Sequence, residues 1–264
     1  MKNRRITIGL IAIVLSLGLV IGSVVFAQNQ EGGYEYPATS QEKVAVAKQL
    51  LSNLKTATDY EFEHGTTEEF RGRKVFSGAS AEKIEALQDE TMAQVHKLLA
   101  RPESERQNAI KNIDTFATLA NTKRSADVIE YKMRGDDPYK SAAKLELYTV
   151  GLHMYVVNES TNEVIQYGPR PFKEGEARIT YNEIASLNQA KLQTIAENIA
   201  KEYSPVSLDN LTLKVNVKEN EYTIRTFFRW EDTSTILDDK VHPFIQVGLS
   251  PGGDVVSYSN TLSL

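Results

Sequence analysis

The chain has no cysteine. That excludes disulfides, thiolate metal sites, a cysteine nucleophile and a lipid-modified cysteine anchor, and it fits export from a bacterium that does not rely on disulfides. Histidine is scarce too: His64, His96, His153 and His242 are scattered and never form His-Glu-x-x-His, so no zinc-hydrolase motif is present. There is no Gly-x-Ser-x-Gly nucleophile turn. The glycine-rich stretch 248–253 lacks the lysine and the following helix that a phosphate-cradling loop needs. Positive charge is also short. The formal net charge is −5, and because Lys2, Arg4 and Arg5 are the charged residues before Gln28, the remainder carries 27 basic against 35 acidic residues. Such a field does not favour nucleic acid or anionic lipid.

Long apolar runs are absent except at the start. Lys2-Asn3-Arg4-Arg5 precedes an uncharged run over 6–27, which as a helix spans about 33 Å, a bilayer's hydrocarbon thickness. Basic residues stay on the cytoplasmic side, so the rest of the chain is expected outside. Val25-Phe26-Ala27 before Gln28 has the small-residue pattern of a signal-peptidase site, while the run is longer than a usual signal core. Secretion after cleavage near Ala27 and retention as a membrane anchor both remain open. Residues 28–40 are polar and contain glycine, the composition of a linker.

With 41% hydrophobic and 25% charged residues, the remainder has the balance of a folded protein of one or two domains. The spacing of Val44, Ala47, Leu50, Leu51 and Leu54 predicts a helix over 41–56. The interval 58–78, with Arg71-Gly72-Arg73-Lys74, reads as a solvated loop. Ser80 is placed to cap a helix running to Leu99 through Ile84, Leu87, Val95 and Leu98, and Pro102 breaks it. Ile110, Ile113 and Phe116 predict a helix over 103–119. Strands are expected over 128–133, 143–150, 152–158 and 163–167.

Residues 180–264 read as one helix followed by four strands. Thr180-Tyr181-Asn182-Glu183 has the form of a capping box. Ile184, Leu187, Leu192, Ile195, Ile199 and Tyr203 recur at helical spacing up to Pro205. Leu213, Val215 and Val217 alternate with polar residues, and a turn at 218–220 follows. In the next strand Tyr222, Ile224, Thr226, Phe228 and Trp230 share one face, and Glu221, Thr223, Arg225, Phe227 and Arg229 the other. The aromatic face is the expected core against the helix. Arg225, Phe227 and Arg229 form the candidate recognition face, since arginine beside an aromatic is common at interfaces. Strands at 244–249 and 255–262 flank Ser250-Pro251-Gly252-Gly253, which suits a type II turn. Glu231, Asp232, Asp238 and Asp239 border a polar excursion between two strands, where they could gather a hard cation or, as a pair, perform acid–base work, although their spacing matches no calcium loop and a solvated loop is the plainer reading. Residues 162–167 (Asn-Glu-Val-Ile-Gln-Tyr) can be laid on 253–258 (Gly-Asp-Val-Val-Ser-Tyr), a short internal repeat.

These stretches, Thr180-Tyr181-Asn182-Glu183-Ile184-Ala185, the helix end over 196–203, the strand 222–230 and the hairpin around Pro251-Gly252-Gly253-Asp254, make residues 180–264 resemble a PepSY-like domain. Residues 156–167 resemble the same closing hairpin, which would make the preceding block a divergent copy; if so short a match is accidental, residues 41–168 are one α+β domain with its own logic. PepSY-like modules occur in propeptides of thermolysin-type proteases and in bacterial extracytoplasmic proteins. The resemblance implies an α+β fold of two helix-plus-antiparallel-sheet units and a non-catalytic module that binds or restrains a peptidase or another envelope protein. It carries no catalytic residue, cofactor or metal site. The expected organisation is a signal or anchor over 1–27, a linker over 28–40, an α+β domain over 41–178 with a helical N-terminal part, and the PepSY-like domain over 179–264. The alternative is a carboxylate-dependent hydrolase acting on envelope polymer.

Overall fold

A computed structural model describes residues 38–122, 128–136, 143–172, 175–219, 223–237 and 241–264. The expected signal or anchor segment, Tyr222, Asp238 and Asp239 lie outside them. Among the described residues no helix is long and apolar enough to cross a membrane. The described residues fall into two compact units, divided between Ala100 and Arg101.

The first unit holds helix α1 (Ala38–His64), strands β1 (Thr67–Phe70) and β2 (Arg73–Phe76), and helix α2 (Gly78–Leu99). Ala47 and Leu51 of α1 pack on Val95 of α2 with Val44, Leu50, Met92 and Leu98 around them. The interval 58–78, read as a solvated loop, instead completes α1 to His64 and then forms a hairpin. Phe70 pairs with Arg73 in a two-residue turn, and Arg71 and Gly72 both take positive φ, as a type I′ turn requires. Ser80 does not cap α2, which begins two residues earlier. Its hydroxyl donates to Glu61 Oε1 at 2.6 Å and accepts from Thr66 N–H at 2.7 Å, fixing the hairpin between the helices.

The second unit is helix α3 (Glu103–Leu119), strands β3 (Ile129–Asp136), β4 (Lys144–Val150), β5 (His153–Asn158) and β6 (Val164–Pro169), helix α4 (Gln189–Tyr203), and strands β7 (Thr212–Glu219), β8 (Ile224–Glu231), β9 (Phe244–Leu249) and β10 (Val255–Asn260). The strands form one antiparallel sheet in the order β3-β4-β5-β6-β10-β9-β8-β7. Each half is a helix followed by a four-stranded meander, and β6 pairs with β10 at the centre. The expected boundary near residue 178 therefore falls inside one compact unit, because the halves share a sheet and a core.

The register carries the two-fold relation to single residues. Tyr167 pairs with Tyr258, the residue onto which the sequence repeat lays it. Tyr155 pairs with Tyr167 as Val247 pairs with Tyr258, and Val157 with Val164 as Leu249 with Val255. Both pairings shift register just after Val164 and just after Val255, so Ile165 and Val256 occupy the same bulge. Asn162 and Gly253, equivalent in the repeat, both take positive φ. Buried Ala109, Ile113, Phe116, Ala117 and Ala120 are spaced as Leu192, Ala196, Ile199, Ala200 and the partly buried Tyr203 are.

Side chains from both helices enter one cluster with Tyr148, Val150, Tyr155, Val157, Tyr167, Phe228, Trp230, Ile245, Val247, Leu249 and Tyr258, so the helices cover one face of the sheet. At its centre the Phe116 ring lies 4.9 Å from Tyr258, 5.2 Å from Tyr203 and 5.5 Å from Tyr167.

The Thr180 capping box does not form. Helix α4 starts at Gln189, and the Asn188 side chain accepts from Lys191 N–H. Ile184, expected in the core, is 98% exposed. The stretch before α4 is tied instead to the β9–β10 turn: Gly252 N–H donates to the Asn182 carbonyl at 3.0 Å, Leu187 N–H to the Pro251 carbonyl at 2.9 Å, and Asn182 N–H to Asp254. That turn is not type II. Gly253 rather than Gly252 takes positive φ, while Gly253 N–H donates to the Ser250 carbonyl and Ser250 N–H to the Asp254 carbonyl.

Candidate recognition face

Strand period places Thr226, Phe228 and Trp230 toward the helices and Arg225, Phe227 and Arg229 on the opposite face. The three expected recognition residues do share that face, and none of them is bare.

The Arg225 guanidinium is held in a fork, with Nη1 2.9 Å from Glu183 Oε2 and Nη2 2.6 Å from Glu183 Oε1, and it lies over the Tyr181 ring at 5.2 Å. The Arg225 side chain is 16% exposed. Arg229 rests on Phe244, 3.6 Å from the ring centroid, with Nε 2.7 Å from Glu231 Oε1. Glu231 also pairs with Lys214. Burial raises the Glu231 pKa, but Lys214 and Arg229, with His242 nearby, outweigh it and hold the carboxyl below its ordinary range. Phe227 lies across Gly248 and has the Lys218 ammonium 5.4 Å from its centroid. A Cβ on Gly248 would come within 2.8 Å of Phe227 Cε1 and 2.5 Å of Ser257 Oγ.

The strand registers extend this face. Lys214 pairs with Arg229, Arg229 with Gln246, Gln246 with Ser259 and Ser259 with Gln166; Asn216 pairs with Phe227, Phe227 with Gly248 and Gly248 with Ser257. The half nearer β7 is thus cationic and polar, whereas Gln166 leads through Val156 to Leu147 on the other side. With Arg225 already forked onto Glu183 and Arg229 paired with Glu231, what the face offers is the Phe227 ring and guanidinium planes bordered by Lys214 and Lys218.

Of the four carboxylates bordering the polar excursion, Glu231 and Asp232 are described, and both are engaged in structural contacts. Asp232 accepts from Ser234 N–H at 2.9 Å and from the Thr235 hydroxyl at 2.9 Å, and hydrogen bonds from Ser234 and Thr235 lower its pKa. The Lys83 ammonium and the Ser80 hydroxyl lower that of Glu61. Among the described residues no group of three or more His, Asp or Glu is placed to hold a metal. His153 stacks on Tyr167, burial lowers the pKa of His96, and His242 Nδ1 lies 2.6 Å from the Thr235 carbonyl.

A buried ion pair escaped the sequence reading. Glu146 is fully buried on the helix-facing side of β4. Arg101 donates from Nε to Glu146 Oε1 at 2.9 Å and from Nη2 to Oε2 at 2.6 Å, and its Nη1 reaches the Glu159 carbonyl at 2.8 Å. The Tyr148 hydroxyl donates to Glu146 Oε2 at 2.7 Å. Beside it, Arg134 forks onto Glu159. The signal was a glutamate at inward strand parity in Glu146-Leu147-Tyr148-Thr149-Val150.

No protein-family model, curated protein or solved structure matches the chain.

Proposed function

We propose that the chain is a non-catalytic binding or regulatory module of the bacterial cell envelope, carried outside the cytoplasm by the apolar run 6–27, whether anchored there or released near Ala27. Its partner on this reading is an envelope protein, with a peptidase as the leading class because residues 180–264 resemble PepSY-like domains. The observation that carries the reading is the one-sided sheet: both helices cover one face, and the Arg225, Phe227 and Arg229 face is turned away from them. A carboxyl that serves as the general acid is held protonated by a raised pKa. The shifts resolved at Glu61, Glu231 and Asp232 run the other way.

The test is capture from envelope extracts by residues 28–264, comparing the parent with Arg225→Gln combined with Phe227→Ala. The expected result is loss of a specific captured protein with the melting transition still cooperative. Undiminished capture by the double variant removes this face from the function. Hydrolysis of purified envelope polymer, abolished by a single Asp or Glu substitution, replaces the reading with the enzymatic one.

A further inference from the structure

We infer that β7 is a docking edge that takes up an extended peptide as a ninth strand, and that the peptide alternates apolar with acidic side chains; this rests on the binding-module reading and names its partner's chemistry. The pseudo-two-fold fold supplies an internal comparison. Strands β3 and β7 are equivalent, each terminal in the sheet. Strand β3 is blunted: its pairing with β4 is broken by a register shift between Tyr131 and Met133, Arg106 lies over the Tyr131 ring at 4.9 Å, and Arg134 is tied to Glu159. Strand β7 pairs with β8 over eight consecutive residues without a shift, and all its residues but Leu213 are exposed. Alternate residues of such a strand turn N–H and C=O away from the sheet, which is the template for strand addition.

The side chains along this edge specify what fits. On the helix side, Leu213, beside Trp230, is the last residue reached by the core cluster. Beyond it Val215 at 38%, Val217 at 56% and neighbouring Ile224 at 41% exposure make an apolar shelf that is exposed among the described residues. On the outward side Lys214 and Lys218 alternate with Asn216. A ninth strand, with its own period of two, lays every other side chain beside the valines and the intervening ones beside the lysines. Charge complementarity makes the intervening side chains acidic. A second copy of β7 fits less well. In a continuous sheet it sets two more lysines on the same outward strip, where like charges on adjoining strands oppose pairing.

The test uses the full chain and synthetic eight-residue peptides, one alternating valine with glutamate and one valine with lysine. Two further glutamate peptides are N-methylated on alternate residues, one for each parity. Trp230, the one tryptophan in the chain, sits opposite Leu213 and reports binding by its emission. The glutamate peptide is expected to bind at least about tenfold tighter than the lysine peptide. It should slow amide exchange over 212–219 while leaving β3 unchanged, and one N-methyl parity should abolish its binding. Lys214→Glu with Lys218→Glu should reverse the preference. If that pair unsettles Glu231, Lys218→Glu alone should narrow it. Equal binding of the glutamate and lysine peptides, or protection elsewhere with 212–219 unchanged, overturns the inference. Such a failure beside capture that still depends on Arg225 and Phe227 removes the edge and leaves the binding-module reading intact.

Discussion

Gly248 lacks a side chain for a spatial reason: Phe227 and Ser257 close over its backbone on the outward face. Gly248→Ala should push the Phe227 ring off the sheet and cost about 1–3 kcal/mol, as overpacking does. Denaturant unfolding checks the cost, and weakened partner capture checks the displaced ring. Phe228 points the other way and is fully buried. Phe228→Ala should cost about 3–5 kcal/mol. These two neighbours were legible as opposite faces from strand period alone. What period could not supply was the occupancy of the face, because Glu183 and Tyr181 reach Arg225 from 42 and 44 positions away in sequence. The Arg101 and Glu146 pair was hidden for the same reason, and it makes the sharper prediction. Arg101→Met strands a buried carboxylate and should destabilise by about 3–5 kcal/mol, whereas adding Glu146→Leu should recover most of that, since a well-packed apolar pair avoids the desolvation cost. No recovery in a double-mutant cycle would mean that the Glu159, Tyr148 and Asn162 contacts of this network carry the stability instead.

At the scale of elements, the start of α4 separates local signal from tertiary choice. Thr180 and Asn188 both precede a helical pattern, and both can cap. The chain starts the helix at Asn188 because 182–187 is committed to the β9–β10 turn and Glu183 to Arg225. Asn188→Ala should therefore lower stability by about 1 kcal/mol, while Thr180→Ala should leave the thermal midpoint nearly unmoved. A larger loss from Thr180→Ala would restore the earlier helix start. Strands β4, β5, β6, β8, β9 and β10 were readable to within two or three residues because each has one face in the core. The β1–β2 hairpin was not, since Thr-Glu-Glu-Phe and Arg-Lys-Val-Phe do not alternate and Arg71 rather than Asn or Asp precedes Gly72 in its turn.

For the whole molecule, carboxylates in both units link folding to acid. Glu61 and Glu231 have native pKa values below their ordinary 4.5, so each unfolded state binds the proton more readily than the folded one. The stability they contribute is present above the ordinary carboxylate range and is lost as pH falls through the lowered native values. The thermal midpoint should drop between about pH 5 and pH 3, and Glu61→Gln or Glu231→Gln should each flatten that drop. The two-fold relation makes a further demand on the molecule. Strand β10 is central, paired with β6 on one side and β9 on the other, so residues 179–264 alone would bare the β10 edge and leave Tyr203 and Tyr258 without Phe116. Two such fragments can satisfy each other as the two halves do. Because Tyr167 stands opposite Tyr258 at equivalent positions, Tyr258 would face Tyr258 of the second copy, and Ile199, equivalent in the helix to Phe116, would enter the centre. The fragment should sediment as a dimer and melt at a temperature that rises with concentration. A folded monomer with a concentration-independent transition would show that the C-terminal half needs no partner strand, and 179–264 would then stand as a domain in its own right.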